Sequence, residues 1–118
     1  MEIITTYFAN LRKAPQDFVQ VSIARSYPTN IHLQECSELA PTSQLLCDYR
    51  NELVTWEEYV ERYTRETLRL LNPHEFVLSI FERFGPKVLF ACWEGRNKNC
   101  HRHVAREWFS PFVKTREL

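Results

Sequence analysis

Two short runs near the start of the chain, Ile3 to Phe8 and Phe18 to Ala24, are dense in β-branched and aromatic residues, and they predict strands. Asn10 to Pro15 between them predicts a short helical turn or loop. Residues 26–41, SYPTNIHLQECSELAP, hold no clean period, and their prolines predict a long ordered loop, a kind of segment that often carries function in a compact domain. Thr42 to Arg50, just after Pro41, predicts a first helix. Thr55-Trp56-Glu57-Glu58 has the spacing of a capping box, in which Thr55 caps the Glu58 amide and the Glu58 side chain reaches back. The helix it opens repeats Tyr59, Val60, Tyr63, Thr67, Leu70 and Leu71 at three- and four-residue steps, which predicts a core-facing stripe.

Asn72-Pro73 predicts a restart, with Asn72 as cap and Pro73 at the first helical position, where its fixed φ is already helical. Phe76, Val77, Ile80, Phe81 and Phe84 continue the apolar face until Gly85-Pro86 ends it. Val88 to Trp93 is almost continuously apolar, as a strand covered on both faces should be. A last helix starts near Cys100 and buries Val104, Ala105, Trp108 and Phe109, after which Pro111 breaks or restarts it. Strands separated by helices need crossover connections. The expectation is therefore one α/β domain over residues 1–118: a small, mostly parallel sheet flanked by helices in Rossmann-like or flavodoxin-like layering. No internal repeat, linker or low-complexity tract interrupts it.

Composition narrows the function classes. The 118 residues are 44% hydrophobic and 14% aromatic, which suits a packed globule rather than a disordered chain. The formal net charge is zero, with 15 Lys and Arg against 15 Asp and Glu. Proteins that bind nucleic acid by neutralising phosphates carry a basic excess, so that partner is disfavoured, although a local basic patch remains compatible. No run nears the length of a membrane span, and the first residues lack the pattern of a secretory signal. A cytoplasmic location follows, and with it free thiols at Cys36, Cys47, Cys92 and Cys100 rather than a disulfide framework.

Candidate chemistry gathers at one junction, VLFACWEGRNKNCHRHVAREWF. In open α/β sheets ligands bind beyond the carboxyl ends of strands. Trp93-Glu94 lies at such an end, and Cys100-His101-Arg102 opens the next helix, where free amides and the helix dipole favour an anion. Arg102 could add a bidentate fork, and Arg25, at the end of the second strand, could converge on the same crevice. Cys100 stands where a thiol pKa falls, which makes it a candidate nucleophile with His101 or His103 as base. Cys100 to Arg106 also satisfies a Cys-x5-Arg spacing, but the glycine-rich loop of phosphatase-type sites is missing. Each of these residues has a plainer reading: a small packing cysteine, a solvated helix turn, a surface charge.

Cys92, Cys100, His101 and His103 are also metal-ligand types. Their spacing, eight residues between the cysteines and one between the histidines, fits zinc motifs poorly, so neither a metal nor any other cofactor is expected. Tyr7, Tyr27, Trp93 and the loop around Asn97 and Asn99 could stack on or hydrogen-bond a base-like ligand, though Tyr7 and Trp93 read equally as core aromatics. His74, next to a helix start, reads as surface.

Two blocks resemble the bacterial and phage proteins of the domain of unknown function 488 family. One is Ile23-Ala24-Arg25-Ser26-Tyr27-Pro28, similar to the family's strand-end Arg-x-x-Pro region. The other is Phe90-Ala91-Cys92-Trp93-Glu94 followed by Cys100-His101-Arg102, similar to its Cys-x-Glu, loop, Cys-His-Arg signature. The resemblance implies a site at Arg25, Cys92, Glu94, Cys100, His101 and Arg102. The acid that commonly precedes the family's first arginine is absent, with Ser22 and Ala24 in its place. If that acid serves catalysis, this member binds without turnover. The expected function is binding of an anionic small molecule, a nucleotide or nucleotide-derived signal, as a phage or bacterial accessory, defence-related protein. An enzyme using Cys100 as nucleophile or Glu94 as base, and a non-catalytic protein-interaction domain, are the alternatives.

Overall fold

A computed structural model describes residues 1–95 and 98–118. Five strands form one sheet in the order β3-β2-β4-β1-β5, every neighbouring pair parallel. They are β1 (Glu2–Tyr7), β2 (Val19–Ser22), β3 (Gln34–Glu35), β4 (Lys87–Cys92) and β5 (Lys114–Glu117). The α-helices are α1 (Ser43–Arg50), α2 (Trp56–Glu66), α3 (Pro73–Phe84) and α4 (His101–Phe109). The α/β class is as expected, with a parallel sheet and intervening helices.

Local signals set the helix boundaries. Thr42 caps α1 by accepting from the Leu45 amide at 3.1 Å. Both arms of the Thr55–Glu58 capping box are present at the start of α2. Asn72 accepts from the Glu75 amide at 3.1 Å, Pro73 follows it, and Gly85 ends α3 with φ at +91°, where an L side chain would be strained. The predicted stripe of α2 stops short: the helix ends at Glu66, a 3-10 turn takes Leu68–Leu70, and Leu70 is 79% exposed. Phe81, predicted on the inner face of α3, is half exposed.

The alternation along the central strands sorts two cores. Ile3, Val21, Val88, Phe90 and Cys92 face one way, against Leu39, Leu45, Tyr63, Ile80 and Phe109. Ile4, Leu89 and Ala91 face the other, against Phe8 and Phe18. All four α-helices supply the first core. The second is closed by the 3-10 turn Phe8–Lys13 and by Tyr27 and Leu33 of the loop beyond β2. The α-helices thus cover the first face, and a 3-10 turn with loop residues covers the second. Two elements escape the sequence pattern. β3 is two exposed polar residues held to β2 by backbone hydrogen bonds, and β5, where a break or restart of the helix at Pro111 was expected, is a charged edge strand beside β1.

Candidate functional site

The chain leaves the carboxyl ends of adjacent β2 and β4 on opposite faces of the sheet. After β2 it runs over the second core on its way to β3, and after β4 it enters α4 on the helical face. Strand ends that diverge in this way leave a crevice, the usual ligand position of open parallel sheets. A cleft occupies it. Ala24, Arg25 and Ser26 form one side and Cys92, Trp93 and Glu94 another, with Asn99, Cys100 and His101 at the start of α4. The far wall is Tyr49, Trp56 and Tyr59, from α1 and α2.

That wall is preassembled. Trp56 stacks on Tyr59 with ring centroids 5.1 Å apart and an interplanar angle of 17°, and Tyr49 lies 4.9 Å from Tyr59. Burial pushes the Tyr59 phenol pKa up, with Tyr49 and the Glu94 charge adding to it, so its hydroxyl stays protonated. Arg25 and Arg50 share the rim, and Arg25 is braced by donating to the Pro41 carbonyl at 3.1 Å. A shallower depression next to Arg50 adds Lys98. Across these connected hollows, among the described residues, three cations face one carboxylate, Glu94.

Cys92, Cys100 and His101 are buried on the cleft floor. The two sulfurs are in contact, with Cα atoms 7.7 Å apart, while Cys36 and Cys47 are free as expected. Burial also raises the Cys36 thiol to about 12, so it stays protonated. His101 Nε2 lies 2.7 Å from the Ile23 carbonyl oxygen, and Nδ1 lies 3.6 Å from Cys100 Sγ. A carbonyl only accepts, so Nε2 carries the proton and Nδ1 keeps its lone pair toward the thiol. Burial lowers the His101 pKa to about 4, which leaves the ring neutral at neutral pH.

Arg102 turns away from the cleft. Its side chain is fully buried and its donors are taken up within the fold. Nη1 donates to Cys92 Sγ at 3.2 Å and to the Glu94 carbonyl, Nη2 donates to the Gly95 carbonyl at 3.3 Å, and Nε donates to Glu117 at 3.1 Å. Tyr7 lies beneath it, ring centroid 5.7 Å from the guanidinium carbon. Arg106 points to the same place, donating to Thr5 at 2.8 Å and to Glu117 at 3.1 Å, and its Nη1 lies 2.9 Å from His103 Nδ1. The expected Arg25–Arg102 clamp is therefore not assembled, because Arg102, one residue along α4 from the cleft-facing His101, points to the β1–β5 side. The Cys-x5-Arg spacing likewise brings no arginine to Cys100.

Of the candidate residues, Arg25, Cys92, Glu94, Cys100 and His101 share the cleft with Trp93 and Asn99, while Arg102 and Tyr7 pair with each other outside it. Trp93 is 48% exposed, edge-on to Phe8, and donates to the Ser26 carbonyl at 2.9 Å. Tyr27 packs into the second core and His74 is exposed. Asn97 lies outside the described residues. Sequence reasoning missed the whole α1–α2 wall and Arg50. The available signal was three aromatics, Tyr49, Trp56 and Tyr59, closely spaced across a helix–helix turn.

A family described as DUF488-N3a, the active DUF488-N3 subclade, matches residues 4–111. No curated protein and no solved structure matches the chain.

Proposed function

The chain belongs to the DUF488 family, and we propose that it binds an anionic small molecule bearing a planar ring, a nucleotide or nucleotide-derived signal, in the β2/β4 crevice. The observation that carries this reading is the pairing of an aromatic wall with a cationic rim in a protein of zero formal charge. Arg25 and Arg50 hold phosphate, where the planar guanidinium fork suits its oxygens. The open amides at the start of α4, whose Cys100 cap makes no side-chain hydrogen bond, add to the attraction. Tyr49 and Trp56 offer faces to the ring, and Glu94 accepts from a ribose hydroxyl or an exocyclic amine. A cytoplasmic setting and a role as a bacterial or phage accessory protein accord with such a ligand.

Calorimetry and thermal melting with AMP, ADP, ribose 5-phosphate and adenosine test it. The phosphorylated ligands should raise the melting temperature and adenosine should not, and the gain should shrink with salt as ion pairing is screened. Equal response to AMP and adenosine, or an unchanged response in an Arg25→Ala/Arg50→Ala double variant, defeats the reading.

A further inference from the structure

We propose that Cys92, Cys100 and His101 form a site for a soft divalent metal ion, zinc by chemistry, on the floor of the cleft. Cys92 Sγ, Cys100 Sγ and a ring nitrogen of His101 lie within 4.8 Å of one another, and all three residues are buried. Two thiolates and an imidazole are a donor set that selects zinc over the hard cations, which prefer oxygen.

Three further features of the structure fit an ion there. The first is the ring orientation of His101. Its Nε2 is committed to the Ile23 carbonyl at 2.7 Å, so Nδ1 presents a lone pair to the sulfurs. A backbone carbonyl behind the distal nitrogen is the arrangement that fixes tautomer and direction in metal-binding imidazoles. The second is the backbone span. A disulfide joins Cα atoms up to about 6.8 Å apart, and Cys92 and Cys100 stand at 7.7 Å. Two metal–sulfur bonds of about 2.3 Å in place of one sulfur–sulfur bond of about 2 Å lengthen the reach. The sulfurs, in contact here, part to admit the ion. The third is charge. Two thiolates balance a divalent cation, and Arg102 Nη1 lies within hydrogen-bond reach of Cys92 Sγ at 3.2 Å.

All three residues line the cleft, so an ion held by them would be within reach of that open space. Three protein ligands with one open position is the pattern of catalytic rather than purely structural zinc. The sequence conceals the site because its donors come from a strand end and the following helix start, not from one short loop. The inference is independent of which organic ligand, if any, enters the cleft.

The test uses the whole chain. Elemental analysis and native mass spectrometry of protein purified without chelator should show about one zinc per chain, the occupancy of a single three-ligand site. After chelation under reducing conditions, cobalt(II) added alone should restore one equivalent of binding, with thiolate-to-cobalt charge-transfer absorption. Cys47→Ser should leave the band and the stoichiometry unchanged. Cys92→Ser and Cys100→Ser should each lower affinity beyond the roughly 10–100-fold that loss of an outer hydrogen bond costs. The wild-type cobalt spectrum decides the matter even if those variants misfold. Reduced wild-type protein that gives no charge-transfer band overturns the proposal. So does zinc retained by a folded Cys92→Ser/Cys100→Ser variant, which would place the ion elsewhere.

Discussion

Arg25 and Arg102 stand at the same end of the sheet but are used in opposite ways. Arg25 is exposed, keeps one protein partner and faces an open hollow. Arg102 is fully buried and spends its donors on a sulfur, two carbonyls and Glu117. A buried charge persists only when its surroundings satisfy it, so the arginine best embedded in the fold has the least capacity left for a ligand. Recruitment of an anion falls to the arginine that the fold leaves underused, and Arg50 is a second of that kind.

The largest expected effect should come from Arg102→Met, which leaves Glu117 without that partner and the Glu94 and Gly95 carbonyls without donors. Glu117 is partly exposed and keeps Arg106, so the cost should be about 1–3 kcal/mol, that of hydrogen-bonding groups left unsatisfied, and urea denaturation should read that loss. A variant of near wild-type stability would erase the contrast between the two arginines. Next, Arg25→Ala and Arg50→Ala should each weaken AMP binding about 10–100-fold, the loss of one or two charge-assisted hydrogen bonds, while moving stability by less than about 0.5 kcal/mol. If either unfolds the protein as Arg102→Met does, the cleft arginines are structural too.

Thr55→Ala should cost about 1 kcal/mol through loss of the capping box. Because Trp56 and Tyr59 follow that cap directly, AMP binding should weaken with it, which sharpens the distinction between a preassembled wall and one that forms around ligand. The smallest effect should be Glu61→Ala, which breaks the exposed pair with Arg65 at 3.1 Å and should change urea stability by less than about 0.5 kcal/mol.

Local chemistry was legible in the sequence. The caps at Thr55 and Asn72, the stop at Gly85 and the buried strand at Val88 follow from side chains acting on their own or nearby backbone. Arg25, Glu94 and the Cys100-His101 turn were legible from their place at strand ends and a helix start, whereas Cys92 read as core and entered the site only through the family resemblance. What the sequence hid depends on how elements pack. Arg102 faces away from Arg25 because of the rotation of α4 against β1 and β5, which no spacing rule supplies. β5 stays hidden because its Lys114, Arg116 and Glu117 read as surface, although Glu117 bonds Arg102 and Arg106 from an edge strand. Tyr49 and Trp56 read as ordinary helix residues until α1 and α2 are folded against the strand ends.

Trp93 turns this layout into an optical handle. Its indole sits at the mouth of the cleft, tethered to Ser26 and leaning on Phe8 of the sparsely covered face. An occupant arriving from solvent displaces water from that ring and alters its emission, and so does any loosening of the thin layer beneath it. Trp93 thus watches both the doorway and the weaker side of the molecule, and comparison with Trp93→Phe separates its signal from that of Trp56.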